Sequence, residues 1–189
     1  MLMVSLEDVI EGCRNGDAAM QKELYDRYSA QFYALCRRYA YDDEMAKESL
    51  AEAFLAIFKG IQDYHGAGSF EVWMHTILVR QAVKVYRRDK KHVEMLSNPD
   101  MESAQVVALP IEQQMDLREA ITTAMRALND LQRQVFNLVA VDGYSFAEAA
   151  EMVQLPVHVT KYAYYTARDN LRVLLSKYLG RHYMKELET

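Results

Sequence analysis

The residues able to do covalent or metal chemistry are few and poorly spaced for it. The five histidines, His65, His75, His92, His158 and His182, fall at no metal-ligand spacing. Cys13 and Cys36 form no CxxC pair and read as buried small hydrophobes of a reducing compartment rather than as a disulfide or zinc framework. Gly66-Ala67-Gly68 lacks the phosphate-binding motif and a preceding strand. No metal, no cofactor and no enzymatic activity are therefore expected. The chemistry that remains is ionic. Arg80, Lys84, Arg87, Arg88, Lys90 and Lys91 stand against Asp89 alone, and between His158 and Arg181 the residues Lys161, Arg168, Arg172, Lys177 and Arg181 stand against Asp169 alone. Cations grouped in this way can neutralise nucleic-acid phosphates. The chain as a whole carries a formal charge of -5, so the distribution of charge matters more than its sum.

The elements that carry these clusters read as helices. Only 7 Gly and 3 Pro occur and 51% of the residues are hydrophobic, which favours an all-α fold with enough apolar material for packed cores. Asp17 has the chemistry of an N-cap, and Ala19, Leu24, Tyr28, Phe32, Leu35 and Cys36 follow at helical spacing towards Tyr39. Leu50, Ala53, Phe54, Ile57, Phe58 and Ile61 mark a second helix ending near Gln62. After a break at Gly66 to Ser69, Phe70, Trp73, Met74, Ile77, Leu78 and Val85 begin a third, which ends in the first basic cluster. Residues 1–91 thus form one small helical domain, with Met1 to Ile10 read only as a short apolar start.

Periodicity stops from His92 to about Pro110, where Pro99, Pro110 and polar residues predict a flexible linker over 92–112. A second helical domain spans 113–189. Leu117, Ile121, Ala124, Met125 and Leu128 share one helical face, and Leu131, Val135, Phe136, Leu138 and Val139 continue on the next before Gly143 stops a helix. Ser145-Phe146-Ala147-Glu148 is a capping box, in which the hydroxyl and the carboxylate each satisfy a free backbone N–H at a helix start. It predicts a short helix from Phe146 to Val153, a tight connection over Gln154 to Pro156, and a long helix from Pro156 towards Tyr178. These are the dimensions of a DNA-binding helix-turn-helix. The N-terminus has no basic flank of a signal peptide and no run of about 18 apolar residues occurs, so a cytoplasmic protein without membrane insertion is expected.

Several segments, in order, resemble the extracytoplasmic-function class of bacterial sigma factors in the sigma-70 family. Leu24-Tyr25-Asp26-Arg27-Tyr28 is similar to the opening helix of sigma domain two. Ala46-Lys47-Glu48 followed by Glu52-Ala53-Phe54 resembles its acidic helix, Phe70-x-x-Trp73-Met74-x-x-Ile77 its aromatic helix, and Tyr86-Arg87-Arg88 the basic continuation. Leu128 to Phe136, Gly143-x-Ser145-x-x-Glu148, Lys161 and Ala167-Arg168-x-x-Leu171-Arg172 follow sigma domain four. Five positions depart from the pattern. Ala51 stands where the family has Gln, Arg80 and Lys84 where it has Asn and Asp, Pro156 where it has Ser, and Ala163 where it has Arg.

The resemblance implies a non-catalytic initiation factor that binds core RNA polymerase and promoter DNA, and often an inhibitory anti-sigma protein. Its docking residues would be Glu48, Glu52, Phe54, Leu55 and Phe58. The −10 element would meet Tyr64 and His65 of a capture loop from Ile61 to Ser69, with Trp73, Arg80, Lys84, Arg87 and Arg88. The −35 element would meet Ser145, His158, Thr160, Lys161, Tyr162, Tyr165, Arg168 and Arg172. Two other classes stay open at this level: a sigma-like protein-interaction factor with altered promoter readout, and a conventional helix-turn-helix regulator.

Overall fold

The computed structural model describes the backbone of residues 4–96 and 117–186, and the side chains of 4–89 and 117–176. Among the described residues the protein is all helix, without a strand. The chain divides into two compact units, Met1–Ser97 and Asn98–Thr189.

Unit one opens with a helix that periodicity had not marked, α1 (Leu6–Arg14). Its signals are local: Ser5 caps it by accepting a hydrogen bond from the Asp8 amide at 3.1 Å, and Val9, Ile10 and Cys13 form its buried stripe. α1 packs on α2 (Ala18–Tyr39) at close range. A Cβ at Gly12 would lie 2.7 Å from the Met20 Cβ, so only glycine permits this approach. Asp17 caps α2 as expected, its carboxylate accepting from the Ala19 amide at 2.7 Å and the Met20 amide at 3.3 Å.

Asp42 caps α3 (Asp43–Gly60), and after a 3₁₀ turn at Ile61–Asp63 and the loop comes α4 (Phe70–Leu96). α3 packs on both α2 and α4. Their inward faces share a core of Leu24, Phe32 and Tyr39 from α2, Ala53, Phe54 and Ile57 from α3, and Phe70, Met74, Leu78 and Val79 from α4. α4 remains helical to Leu96, past the point where periodicity fades; residues 97–112 of the expected linker lie outside the described residues. Both cysteines are buried and free. Burial pushes the Cys36 thiol up to about 12 and raises that of Cys13, with Asp17 adding to the latter, so both are poor nucleophiles.

In unit two, α5 (Leu117–Arg126) and the long α8 (Val157–Glu186) share a cluster of Ala124, Leu128, Ala167, Leu171 and Leu174. α6 (Asp130–Phe136) starts at a second capping box, Asn129 with Gln132. It does not continue as a regular helix. Asn137–Val141 forms a π turn, with the Asp142 amide donating to the Asn137 carbonyl at 2.9 Å.

Gly143, at φ +77, then frees the chain to reach Ser145. The Ser145 hydroxyl accepts from the Glu148 amide at 3.2 Å, and the Glu148 carboxylate accepts from the Ser145 amide at 2.8 Å, starting α7 (Phe146–Val153). Replacing Ser145 with Ala is expected to lower the stability of this unit by about 1 kcal/mol, measured as a shift in the chemical denaturation midpoint. The turn to α8 uses Gln154 in a left-handed conformation, φ 57 and ψ 44, closed by the Leu155 amide on the Ala150 carbonyl at 3.1 Å. Pro156 precedes the first turn of α8, its carbonyl accepting from the Val159 and Thr160 amides at 3.0 and 3.1 Å.

Candidate nucleic-acid and polymerase interfaces

On α3 the spacing of Glu48, Glu52 and Leu55 places them along one side, and all three reach solvent. Leu55 is 53% exposed, and Phe58 at the end of this side is half-buried. Phe54 is different and has to be removed from the docking set. It is 3% exposed, with ring centroids 4.7 Å from Tyr25, 5.8 Å from Phe32 and 5.9 Å from Phe58. The one-residue step from Leu55 turns it by about 100° around the helix and into the core. Tyr25 of α2 is 42% exposed against Phe54 and adds an aromatic ring to the outer surface.

The two carboxylates are not isolated. Arg88 of α4 makes an ion pair with Glu48 and lies 4.0 Å from Glu52. A candidate DNA-binding cation is thereby shared with the candidate docking acids. All three groups are half-exposed, and exposed pairs are worth about 0–1 kcal/mol, so either partner can exchange.

The loop before α4 is anchored by α1. The Arg14 guanidinium donates to the Ile61 carbonyl at 3.5 Å and to the Tyr64 carbonyl, while the Gln62 amide donates to the Arg14 carbonyl at 2.6 Å. Sequence reading missed Arg14 because the contact spans some 50 residues and α1 itself was not marked. Tyr64 turns back into the loop, its hydroxyl donating to the Gly68 carbonyl at 2.8 Å. Its ring lies 5.0 Å from Phe70 and 5.5 Å from Trp73, and Phe70 stacks on Trp73 at 5.4 Å. Tyr64 and Trp73 are half-buried and His65 is exposed, which leaves an aromatic surface at the loop edge.

Glu71 fixes the other end of this loop by accepting from the Ser69 hydroxyl at 2.5 Å and the Tyr28 hydroxyl at 2.9 Å. The Ser69 bond, the backbone and Tyr28 lower the Glu71 carboxyl, while burial and then Glu71 push the Tyr28 phenol up to about 12. Arg14→Ala is expected to speed amide exchange through residues 61–69 and to cost ~1 kcal/mol, the value of a modestly charge-assisted bond. Hydrogen-exchange mass spectrometry on the full chain checks this. Further along α4, Arg80, Lys84 and Arg88 are exposed on one side and Arg87 is half-buried.

In unit two, α7, the Gln154 turn and α8 form the expected helix-turn-helix. Among the described side chains of α8 the buried positions are Thr160, Ala163, Ala167, Leu171 and Leu174, and the exposed ones are Val157, His158, Lys161, Tyr162, Tyr165, Arg168, Asp169, Arg172, Val173 and Ser176. Thr160 is therefore withdrawn as a base reader. It is 0% exposed, and its hydroxyl donates to the Pro156 carbonyl at 3.2 Å. Ala163 is 5% exposed, so the missing arginine at that position does not cost this helix an outward-facing side chain. Ser145 is exposed, but its hydroxyl and amide are both engaged with Glu148.

Among the described residues no group of three or more His, Cys, Asp or Glu side chains could hold a metal ion, and no helix is long and apolar enough to cross a membrane.

A helical unit with exposed acids on α3 and an aromatic loop, and a second unit with exposed cations on the outer helix of a helix-turn-helix, define a two-domain helix-turn-helix protein. Residues 24–92 match the family model for sigma-70 region 2, and residues 118–171 match that for sigma-70 region 4. The chain belongs to the sigma-70 family, in its extracytoplasmic-function class. It is 26% identical over 179 residues to the ECF RNA polymerase sigma factor SigK of Mycobacterium tuberculosis, covering 92% of this chain and 93% of that protein. It is 27% identical over 160 residues to SigM of the same organism, covering 85% of this chain and 79% of the relative. Among solved structures, the sigma factor RpoE of Bartonella quintana, in complex with the anti-sigma factor NepR, shares the fold. The TM-score is 0.51 at 17% identity, over 82% of this chain and 96% of that one.

Proposed function

We infer that this chain is a transcription initiation factor that binds core RNA polymerase and directs it to specific promoters. The observation that carries this reading is the presence in one chain of a region 2 unit and a region 4 helix-turn-helix, matched at 24–92 and 118–171. Its role is non-enzymatic, since such a factor positions polymerase and DNA while the polymerase supplies the chemistry. It acts in the cytoplasm with its polymerase.

Glu48, Glu52, Leu55 and Phe58 of α3 form the docking surface for polymerase, with Tyr25 beside them. Tyr64, His65 and Trp73 receive bases of the melted −10 strand, because a base released from its stack is best held against an aromatic face. Arg80, Lys84, Arg87 and Arg88 follow the phosphates of that region. His158, Lys161, Tyr162, Tyr165, Arg168 and Arg172 face the −35 duplex, where Lys161 is the base reader nearest the start of α8 and the arginines grip the backbone. Ser145 serves this surface by starting α7. An anti-sigma protein is the regulatory partner, by analogy with the complex in which the Bartonella relative was solved.

Transcripts made by core polymerase plus purified protein on a promoter library, mapped by sequencing, test the whole reading. Start sites sharing a two-part upstream motif are expected. Polymerase binding without promoter-specific initiation would favour the protein-interaction factor, and DNA binding without polymerase the conventional regulator.

A further inference from the structure

The exposed face of α8 carries two aromatic–cation contacts that phosphate binding alone does not explain. The Arg168 guanidinium carbon lies 5.1 Å from the Tyr165 ring centroid, and the Lys161 ammonium lies 5.7 Å from that of Phe146, across the turn on α7. The rings are themselves braced. Phe146 lies 5.2 Å from Tyr164 and 6.0 Å from Tyr165, Tyr164 meets Tyr165 at 5.4 Å, and Tyr164 stacks on Phe136 of α6 at 5.9 Å. Tyr164 is half-buried and Tyr165 is 45% exposed, so the cluster grades from core to surface.

We propose that Phe146 and Tyr165 are positioning residues of the DNA-binding face, holding Lys161 and Arg168 in place before DNA arrives. This rests on the reading of α8 as the −35 helix. The physical reason is entropic. Lysine and arginine side chains lose much rotamer freedom when fixed on a phosphate, and a ring that restricts them beforehand lowers that loss. Spacing agrees, because Lys161, Tyr165, Arg168 and Arg172 recur at steps of four, three and four along one side of the helix. Arg168 has a second partner, Asp169, at 3.2 Å. That pair is exposed on both sides and yields to a phosphate, whereas the ring contact leaves the guanidinium edge free to donate. The tyrosines of α8 thus divide their work: Tyr164 cements α7 to α8, and Tyr165 is a platform for a cation.

The test uses holoenzyme assembled from core polymerase and the full chain, with a promoter fragment taken from its own mapped transcripts, and measures the equilibrium affinity at fixed salt. Arg168→Ala and Lys161→Ala are expected to weaken binding severalfold each. Tyr165→Leu is expected to weaken it about two- to fivefold, the range of an exposed cation–π contact, equally for altered upstream sequences. Tyr165→Phe keeps the ring and should restore most of the affinity that Tyr165→Leu loses. In the Arg168→Ala background, Tyr165→Leu should have no further effect. A full Tyr165→Leu loss persisting in that background would overturn the proposal, as would Tyr165→Phe matching the leucine variant. Tyr165 is exposed, so these variants are expected to keep the fold, and an unchanged melting curve checks it. If Arg168→Ala and Lys161→Ala both leave promoter affinity unchanged, it is the assignment of α8 to the −35 element that fails.

Discussion

Reversing Glu48 and Glu52 to lysine is expected to abolish stable binding to core RNA polymerase while leaving the helices of unit one intact. The two side chains are 51% and 40% exposed on α3, so neither supports the core beneath them. With α3 docking on polymerase as proposed, each reversal replaces an attraction with a repulsion, at a cost of about 2 kcal/mol or more when the contact is desolvated. Together they correspond to a loss of roughly a thousandfold in affinity, since about 1.4 kcal/mol is tenfold. Co-purification or fluorescence anisotropy with core polymerase reads the loss, and circular dichroism should show unchanged helix content. The Arg88 contact adds a control. Glu48→Lys also expels Arg88 from its pair, so the DNA step changes with the docking step. Glu48→Gln with Glu52→Gln removes the charge without this expulsion and should lose less. Polymerase binding unaltered by the double reversal would remove α3 as the docking helix.

Phe54→Ala, one residue before the exposed Leu55, is expected to act by a different route and to unfold unit one instead of merely undocking it. Phe54 is 3% exposed and its ring meets three other aromatic rings from α2 and α3. Truncating a phenylalanine in such a site costs about 3–5 kcal/mol through lost burial and the cavity left behind. That is a large part of the ~5–15 kcal/mol a small domain has in total. Thermal or urea denaturation should show a large downward shift for the unit containing α3. Leu55→Ala, by comparison, should leave stability within ~0.5 kcal/mol, as surface substitutions usually do, and weaken polymerase binding. A Phe54→Ala protein of normal stability with lost docking would return Phe54 to the interface.

These two neighbours show what a sequence discloses and what it conceals. Features written in adjacent residues were legible: the Asp17 cap, the Ser145–Glu148 box and the amphipathic runs that became α2, α3 and the start of α4 all depend on groups within a turn of each other. The facing of a residue within a helix is harder, because it depends on which neighbours pack there. Phe54 and Thr160 belonged to the right helices, but their side chains point into the core; an aromatic ring and a hydroxyl suit either environment, so residue type did not decide it. α1 had its own signals in Ser5, Asp8, Val9, Ile10 and Cys13, yet a short element at a chain end offers few repeats by which periodicity is recognised. The Arg14 and Arg88 contacts join residues 40 to 50 positions apart, and no local pattern encodes such a meeting.

The π turn at Asn137–Val141 bears on how this domain tolerates insertions and deletions. A π turn holds one residue more than the α-helix it interrupts, and one residue corresponds to about 100° of helical rotation. Removing a residue within 137–141 would regularise the helix and confine the phase change to a segment that already departs from it. Removing one between Lys161 and Arg172 would swing the cations beyond it away from Lys161 by the same angle. Relatives that differ in length by a single residue are therefore expected to differ around the end of α6, while the stretch from Ser145 to Arg172 keeps a fixed count.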